Sequence, residues 1–242
     1  MSFNKKKVVD KISTELRKAD WALLLVDARV PFSSFSKKFM RIFFPSKTVI
    51  VFSKVDLISS SSLAPFKNFF SELGFKKFFK LSLKTHSKVI LNFLNSLPSK
   101  SFFKKISVIG VPNVGKSTLL SKLTNLSFER GNSPGVTKAI RWIRFKKFIL
   151  ADSPGVLVPD IESEEQLYKL TCCKIVNPSF EIKEKAANWL AKFLGTTLEE
   201  YALSKNLIKS GNTPDVNAAC LKIIEEFSSG KIKGVILDRI PN

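Results

Sequence analysis

Gly110-Val111-Pro112-Asn113-Val114-Gly115-Lys116-Ser117 is the stretch on which the reading of this 242-residue chain turns. It has the spacing G-x-x-x-x-G-K-[ST], follows an apolar strand run (Ile106 to Ile109) and precedes a helical stretch (Thr118 to Leu123). Glycines at the two ends let backbone N–H groups close around phosphate oxygens, and the helix N-terminus behind them favours an anion. Lys116 would reach the outer phosphates and Ser117 would offer a hydroxyl to Mg²⁺. The segment predicts a nucleotide phosphate site built from Gly110, Pro112, Asn113, Val114, Gly115, Lys116, Ser117 and Thr118. A glycine turn with a solvated lysine would carry the same letters without the strand-loop-helix context.

Upstream, helical spacing over Lys5 to Lys18 gives way to a continuous apolar run, Trp21 to Val26. Thr48 to Phe52 is a second buried strand, and Leu63 to Leu73 a helix stopped by Gly74. Phe78 to Leu81 is a third strand and Val89 to Leu97 a helix; Pro98 to Lys105 is a polar, basic connector into the phosphate-loop strand. Downstream, Ile140 to Phe145 and Phe148 to Ala151 read as a hairpin ending at Asp152. Alternating strands and helices imply an α/β domain with a mostly parallel sheet and ligand at the carboxyl ends of its strands. Beyond about Pro159 only helical periods remain, at Glu181 to Leu194, Leu198 to Leu207 and Asp215 to Phe227. The expected division is residues 1–158 for the nucleotide domain and 159–242 for a small C-terminal helical domain.

Two further motifs sit at strand ends. Asp152 opens D-x-x-G with Gly155, suited to a carboxylate that holds Mg²⁺ and a backbone N–H that senses the terminal phosphate. Thr137, between it and the phosphate loop, is a candidate second Mg²⁺ hydroxyl or an ordinary turn threonine. Ser53-Lys54-Val55-Asp56 selects the base: a carboxylate at Asp56 accepts from guanine N1–H and its exocyclic amine, whereas adenine presents an acceptor at N1. Each hydrogen bond that adenine fails to make there costs on the order of 1.5–3 kcal/mol, which favours GTP and GDP over adenine nucleotides. Lys54 would lay its stem along the base, and Ser82, Leu83 and Lys84 would close the other side.

Composition narrows the partner. Forty Lys and Arg against 20 Asp and Glu give a formal charge of +20, the balance of a protein that meets RNA or an anionic surface; 22 Phe stand against 2 Tyr. Base composition of the genome is a second source of the Lys and Phe excess. The cysteines Cys172, Cys173 and Cys220 lack C-x-x-C spacing and read as reduced thiols. No apolar run approaches the ~18 residues of a membrane span. Asp10 and Glu15 argue against a transit peptide, so the cytosol is expected, with organelle or nucleolus as alternatives; a monomer is also expected.

The base motif precedes the phosphate loop, the reverse of most GTPases. In this order the chain resembles the circularly permuted GTPases, and among them the YlqF-type ribosome biogenesis GTPase A family. Val26-Asp27-Ala28-Arg29-Val30-Pro31 with Ser33-Ser34, the stretch Gly110 to Thr118, Pro134-Gly135-Val136-Thr137, Asp152-Ser153-Pro154-Gly155-Val156 and, in the tail, Leu170-Thr171, Ala187 to Leu194 and Asp215 to Gly234 carry the resemblance. It implies a GTPase that binds the precursor of the large ribosomal subunit and its rRNA and leaves on hydrolysis; the helical domain, residues 159–242, is then the RNA- and ribosome-binding part, hung directly after the Asp152 switch loop so that ordering of that loop could move it. Pro134 and Gly135 then belong to a switch, and Lys116, Thr137 and Asn113 to the catalytic set. Asn113 resembles the asparagine that binds K⁺ in related GTPases; a plain loop asparagine is the other reading.

Three departures accompany the resemblance. Ser53 stands where the family usually has Asn, the Pro-Gly-His-Met segment has no match before the first helix, and Val156 stands where many GTPases carry a water-orienting glutamine. His86, the chain's one histidine, reads as a surface loop residue. The alternatives to a slow, ribosome-stimulated GTPase are an RNA-binding scaffold without turnover and a P-loop ATPase or kinase.

Overall fold

The computed structural model describes residues 3–35, 40, 42–59, 62–124, 141–152, 159 and 161–240. Helix α1 (Phe3–Lys18) leads into strand β1 (Trp21–Asp27), and residues 28–47 return the chain to β2 (Thr48–Ser53) beside it. Helix α2 (Ala64–Glu72), β3 (Lys77–Leu81), α3 (Ser87–Ser96), β4 (Lys104–Gly110) and α4 (Lys116–Thr124) follow. A hairpin of β5 (Arg141–Phe145) and β6 (Phe148–Asp152) completes the sheet. Among the described residues the sheet has six strands in the order β3-β2-β1-β4-β6-β5, parallel except for the edge strand β5. The strand that leads into the Gly110–Ser117 loop, β4, lies at the sheet's centre although it is fourth along the chain.

β1 and β2 are buried at every position, as expected of parallel strands covered on both faces, and this is why they read as unbroken apolar runs. Part of the phenylalanine excess fills one side of the sheet. Phe70 meets the rings of Phe32, Phe35, Phe52, Phe69 and Phe75 at centroid separations of 5.1–6.4 Å. A ring without a hydroxyl needs no polar partner there, which suits Phe over Tyr.

The C-terminal part contains α5 (Glu164–Cys172), α6 (Phe180–Phe193), α7 (Leu198–Ser204), a short antiparallel pair β7 (Ile208–Lys209) and β8 (Thr213–Pro214), and α8 (Val216–Ser229). The C-terminal part is thus helical as expected, with one helix the periods did not show, α5, and one departure, the β7–β8 pair. Helix α5 starts on a Ser163 cap that accepts from the Gln166 N–H, a local signal outweighed by its short apolar period. Strands of two residues are too short to leave a periodicity. Strand β4 also begins earlier than read: Lys104 and Lys105 are inside the sheet because they pair with Phe148 and Ile149. Helix α4 begins at Lys116, two residues ahead of expectation. The boundary near residue 158 and Ile140 lie outside the described residues.

Candidate nucleotide site

The strands of the parallel sheet end on one side, and the sequence-predicted residues lie at those ends: Ser53 closes β2, Leu81 closes β3, Gly110 closes β4 and Asp152 closes β6. The phosphate loop turns sharply because Gly110 has no side chain. A Cβ there would lie 2.7 Å from the Leu25 carbonyl oxygen and 2.8 Å from Val114 Cγ1. Val111 and Val114 anchor the loop as buried side chains, and Gly115 takes a left-handed φ of +104°. Lys116, buried in the first turn of α4, donates from Nζ to the carbonyls of Gly110 and Val111, 2.7 Å each. The ammonium is thereby poised at the mouth of the loop. Ser117 and Thr118 follow half-buried in the same turn.

The base-selecting turn lies two strands away. The Ser53 hydroxyl donates to the Val26 carbonyl at 3.0 Å, fastening the end of β2 to β1. Lys54 adopts left-handed backbone (φ 57°, ψ 34°), which swings Val55–Leu57 into a 3₁₀ turn and brings Asp56 forward. One carboxylate oxygen of Asp56, Oδ1, is enclosed with no hydrogen-bond partner among the described residues. A buried acceptor left without a donor is what a guanine edge, with two N–H donors, would complete. A Cβ built on Gly115 would come within 3.9 Å of Ser53 Cβ, so the phosphate loop and the base motif pack against each other.

Lys54 departs from the expected role. Its ammonium is bound to Asp27 Oδ2 at 2.7 Å, so only its stem is left to line a base. On the other side, Ser82 forms a turn in which its N–H donates to Thr85 Oγ1 (2.9 Å) and its hydroxyl accepts from the Lys84 N–H (3.1 Å). Lys122, from α4, donates to the carbonyls of Leu83 (2.7 Å) and Thr85 (3.1 Å). The base-closing loop is thus tied to the phosphate-loop helix by a lysine that no sequence pattern singled out.

Asn113 extends away from the phosphate loop, its amide donating to the Lys174 carbonyl at 2.6 Å, so it links the loop to the residues after α5. The backbone of Asp152 pairs with Val108, two residues before Gly110, on the strand next to the loop. Pro134, Gly135, Thr137, Gly155 and Val156 lie outside the described residues. His86 is exposed at the start of α3, in keeping with a surface role.

A second set of residues was not read as functional from their types. Asp27, fully buried, accepts from the Arg29 N–H (3.1 Å), Nε (3.0 Å) and Nη2 (2.8 Å) as well as from Lys54. Burial pushes its carboxyl up, but the charges and hydrogen bonds of Lys54 and Arg29 outweigh that and hold it well below the usual carboxylate range. Arg29 also donates from Nη1 to the Phe227 carbonyl at 2.7 Å, at the end of α8. The tail continues the contact: the Gly234 N–H donates to the carbonyl of Leu57, next to Asp56, and the Leu237 N–H to that of Arg29, 2.8 Å each. Asp238 accepts from Phe32 N–H, Ser33 N–H and Ser33 Oγ at 2.6–2.9 Å. The signal that could have exposed this set is the Asp27-x-Arg29 spacing at a strand end.

The sequence family described as 50S ribosome-binding GTPase matches residues 105–200. The chain is 29% identical to ribosome biogenesis GTPase A of Thermotoga maritima over 93% of its own length and 87% of that protein. It is 30% identical to the probable ribosome biogenesis GTPase A of Mycoplasma genitalium over 93% of its own length and 91% of that protein. Its fold is similar to GNP-bound YlqF from T. maritima, with TM-score 0.71 and 26% identity over 96% of this chain and 98% of that one. A GDP-bound TM YlqF gives TM-score 0.72 and 25% identity over 95% and 98%. A likeness of this extent makes the chain a member of the ribosome biogenesis GTPase A family.

Proposed function

We propose that this GTPase binds precursors of the large ribosomal subunit in its GTP state, by contact with rRNA, and leaves them once GTP is hydrolysed. The observation that carries the nucleotide part is the enclosed oxygen of Asp56, without a partner among the described residues, on a turn beside the phosphate loop. The +20 charge and the relatives' names support the ribosomal part.

In this reading Asp56 accepts from the guanine edge, and the stem of Lys54 and the Ser82–Lys84 turn flank the ring. Backbone N–H groups of residues 113–118 surround the phosphates, and Lys116 trades its loop carbonyls for β- and γ-phosphate oxygens. Ser117, Thr137 and Asp152 would hold Mg²⁺, which when bound offsets the charge shared by the outer phosphates; the donor set of two hydroxyls and a carboxylate suits that hard cation. Pro134 and Gly135 form a switch, and the Oδ1 of Asn113, unused in the bond to Lys174, is a K⁺ ligand candidate. Val156 supplies no amide to orient water, so turnover is slow until the particle provides that order.

A competition of GTP and ATP against labelled GDP, paired with phosphate release with and without large ribosomal subunits, tests this. Preference for GTP and stimulated release are expected; equal affinity for ATP overturns the base assignment, and no release in either condition favours a scaffold. Lys116→Ala should abolish tight nucleotide binding; retained binding would mean that the loop is misassigned.

A further inference from the structure

Opposite the nucleotide site, the sheet carries a surface that the GTPase chemistry does not use. From Leu73 to Ala151 the sequence holds 16 Lys and Arg and a single acid, Glu129. The fold gathers several of these bases at the amino end of β4, about 20 Å along that seven-residue strand from Gly110. There the connector after α3 lies beside the β5–β6 turn, with the Lys104 N–H donating to the Lys147 carbonyl at 2.9 Å.

Two features coincide at this place. The first is an aromatic platform. Phe102 is 79% exposed, its ring stands edge-on to Phe103 at 4.8 Å and 83°, and the Arg144 guanidinium lies 4.1 Å from the Phe103 ring centroid. Arg144 and Phe103 brace each other, so Phe102 projects from a preorganised base. The second is an open groove of about 800 Å³ between α3 and the β5–β6 turn, lined in part by Lys88, Lys146 and Lys147 and by the amides of Asn92 and Asn95. Lys104 is not part of its positive lining, since its ammonium is spent on the carbonyls of Leu94, Asn95 and Leu97.

We propose that the Phe102–Phe103–Arg144 platform and the adjoining lysine-lined groove bind an unpaired segment of RNA. An exposed ring beside fixed cations is the arrangement that stacks a splayed base while lysines track its backbone, and carboxamides in the groove can bond base edges. An anionic membrane would meet the same charge, but the carboxamides of Asn92 and Asn95, set in the groove beside Leu91 and Phe148, offer paired donors and acceptors that match base edges and that a lipid surface would leave unused, which favours RNA. The ribosomal origin of that RNA rests on the function proposed above; the site itself does not.

The test is fluorescence anisotropy of a labelled 12-nucleotide oligouridine RNA with the full chain between 50 and 200 mM KCl, with labelled-GDP affinity read in the same preparations. Phe102→Ala should weaken RNA binding at least about five-fold, the loss of one stacked base, while Phe102→Trp keeps it. Replacing Lys88, Lys146 and Lys147 together by Gln should reduce the slope of log affinity against log salt by about 2. GDP affinity should be unchanged in all three variants. RNA binding indifferent to Phe102→Ala, an unchanged salt slope, or tighter binding to phosphatidylserine vesicles than to RNA would each overturn the proposal. Wild-type protein that binds GDP but not the oligonucleotide would overturn the RNA site alone and leave the GTPase reading in place.

Discussion

Two carboxylates at neighbouring strand ends have opposite surroundings, and the contrast assigns their roles. Asp27 is saturated by Arg29 and Lys54, whereas Asp56 keeps one oxygen enclosed without a donor among the described residues. Asp56→Asn should therefore weaken GDP binding by roughly 10- to 150-fold, the range for hydrogen bonds to a charged group. The melting temperature of the nucleotide-free protein should stay level or rise, because the substitution takes away no hydrogen bond of the enclosed oxygen. Titration with labelled GDP beside a thermal melt checks both; a lower melting temperature would make Asp56 structural. Arg29→Met should do the reverse, costing about 3–5 kcal/mol of stability by stripping a buried carboxylate of its main partner. Its acid dependence has a definite sign. A carboxyl held low in the native state stabilises fully above the unfolded value of about 3.9 and loses that contribution as pH falls below it. The gap between wild type and Arg29→Met in urea unfolding should accordingly narrow from pH 6 to pH 3.5.

At the scale of elements, the unit formed by β4, its loop and α4 was legible because its requirements are local: a buried strand, a glycine where a Cβ would strike Leu25, and a helix start. Gly110→Ala should displace the loop, abolishing GDP binding and lowering stability by about 1–3 kcal/mol. Unaltered GDP affinity in a titration would show that the loop tolerates a Cβ. The base motif was legible for the same reason, since its four residues follow a strand end. What the sequence pattern hid are partnerships set by the fold. Lys54 carries no mark that its ammonium will be taken by Asp27, and Lys122 none that it will clasp the Leu83–Thr85 turn, 37–39 residues away. Arg29 meets Phe227 across 198 residues, a pairing that no periodicity reports. Short elements escaped for a different reason: β7 and β8 have two residues each, below the length at which alternation exists.

At the scale of the molecule, the C-terminal part is bound to the nucleotide domain around the base motif rather than hung from a switch loop alone. Arg29 reaches the end of α8, the Gly234 N–H holds the Leu57 carbonyl, Asp238 caps the turn at Phe32 and Ser33, and Asn113 bonds the residues after α5. The Arg29–Phe227 and Asp238–Ser33 contacts are buried and charge-assisted, so separating the two parts would deprive the Arg29 guanidinium and the Asp238 carboxylate of partners. Unfolding should thus be one cooperative transition. Trp21 reports from the sheet and Trp189 from α6, so variants retaining only one of these tryptophans can follow each part separately. Their fluorescence midpoints in urea should coincide with each other and with the loss of helical circular dichroism. Two resolved midpoints in otherwise wild-type protein would mean that the contacts around Arg29 do not couple the parts. If coupling does run through that side chain, Arg29→Met should split the transition, with the Trp189 signal lost first, since the helical part has the smaller core to sustain it.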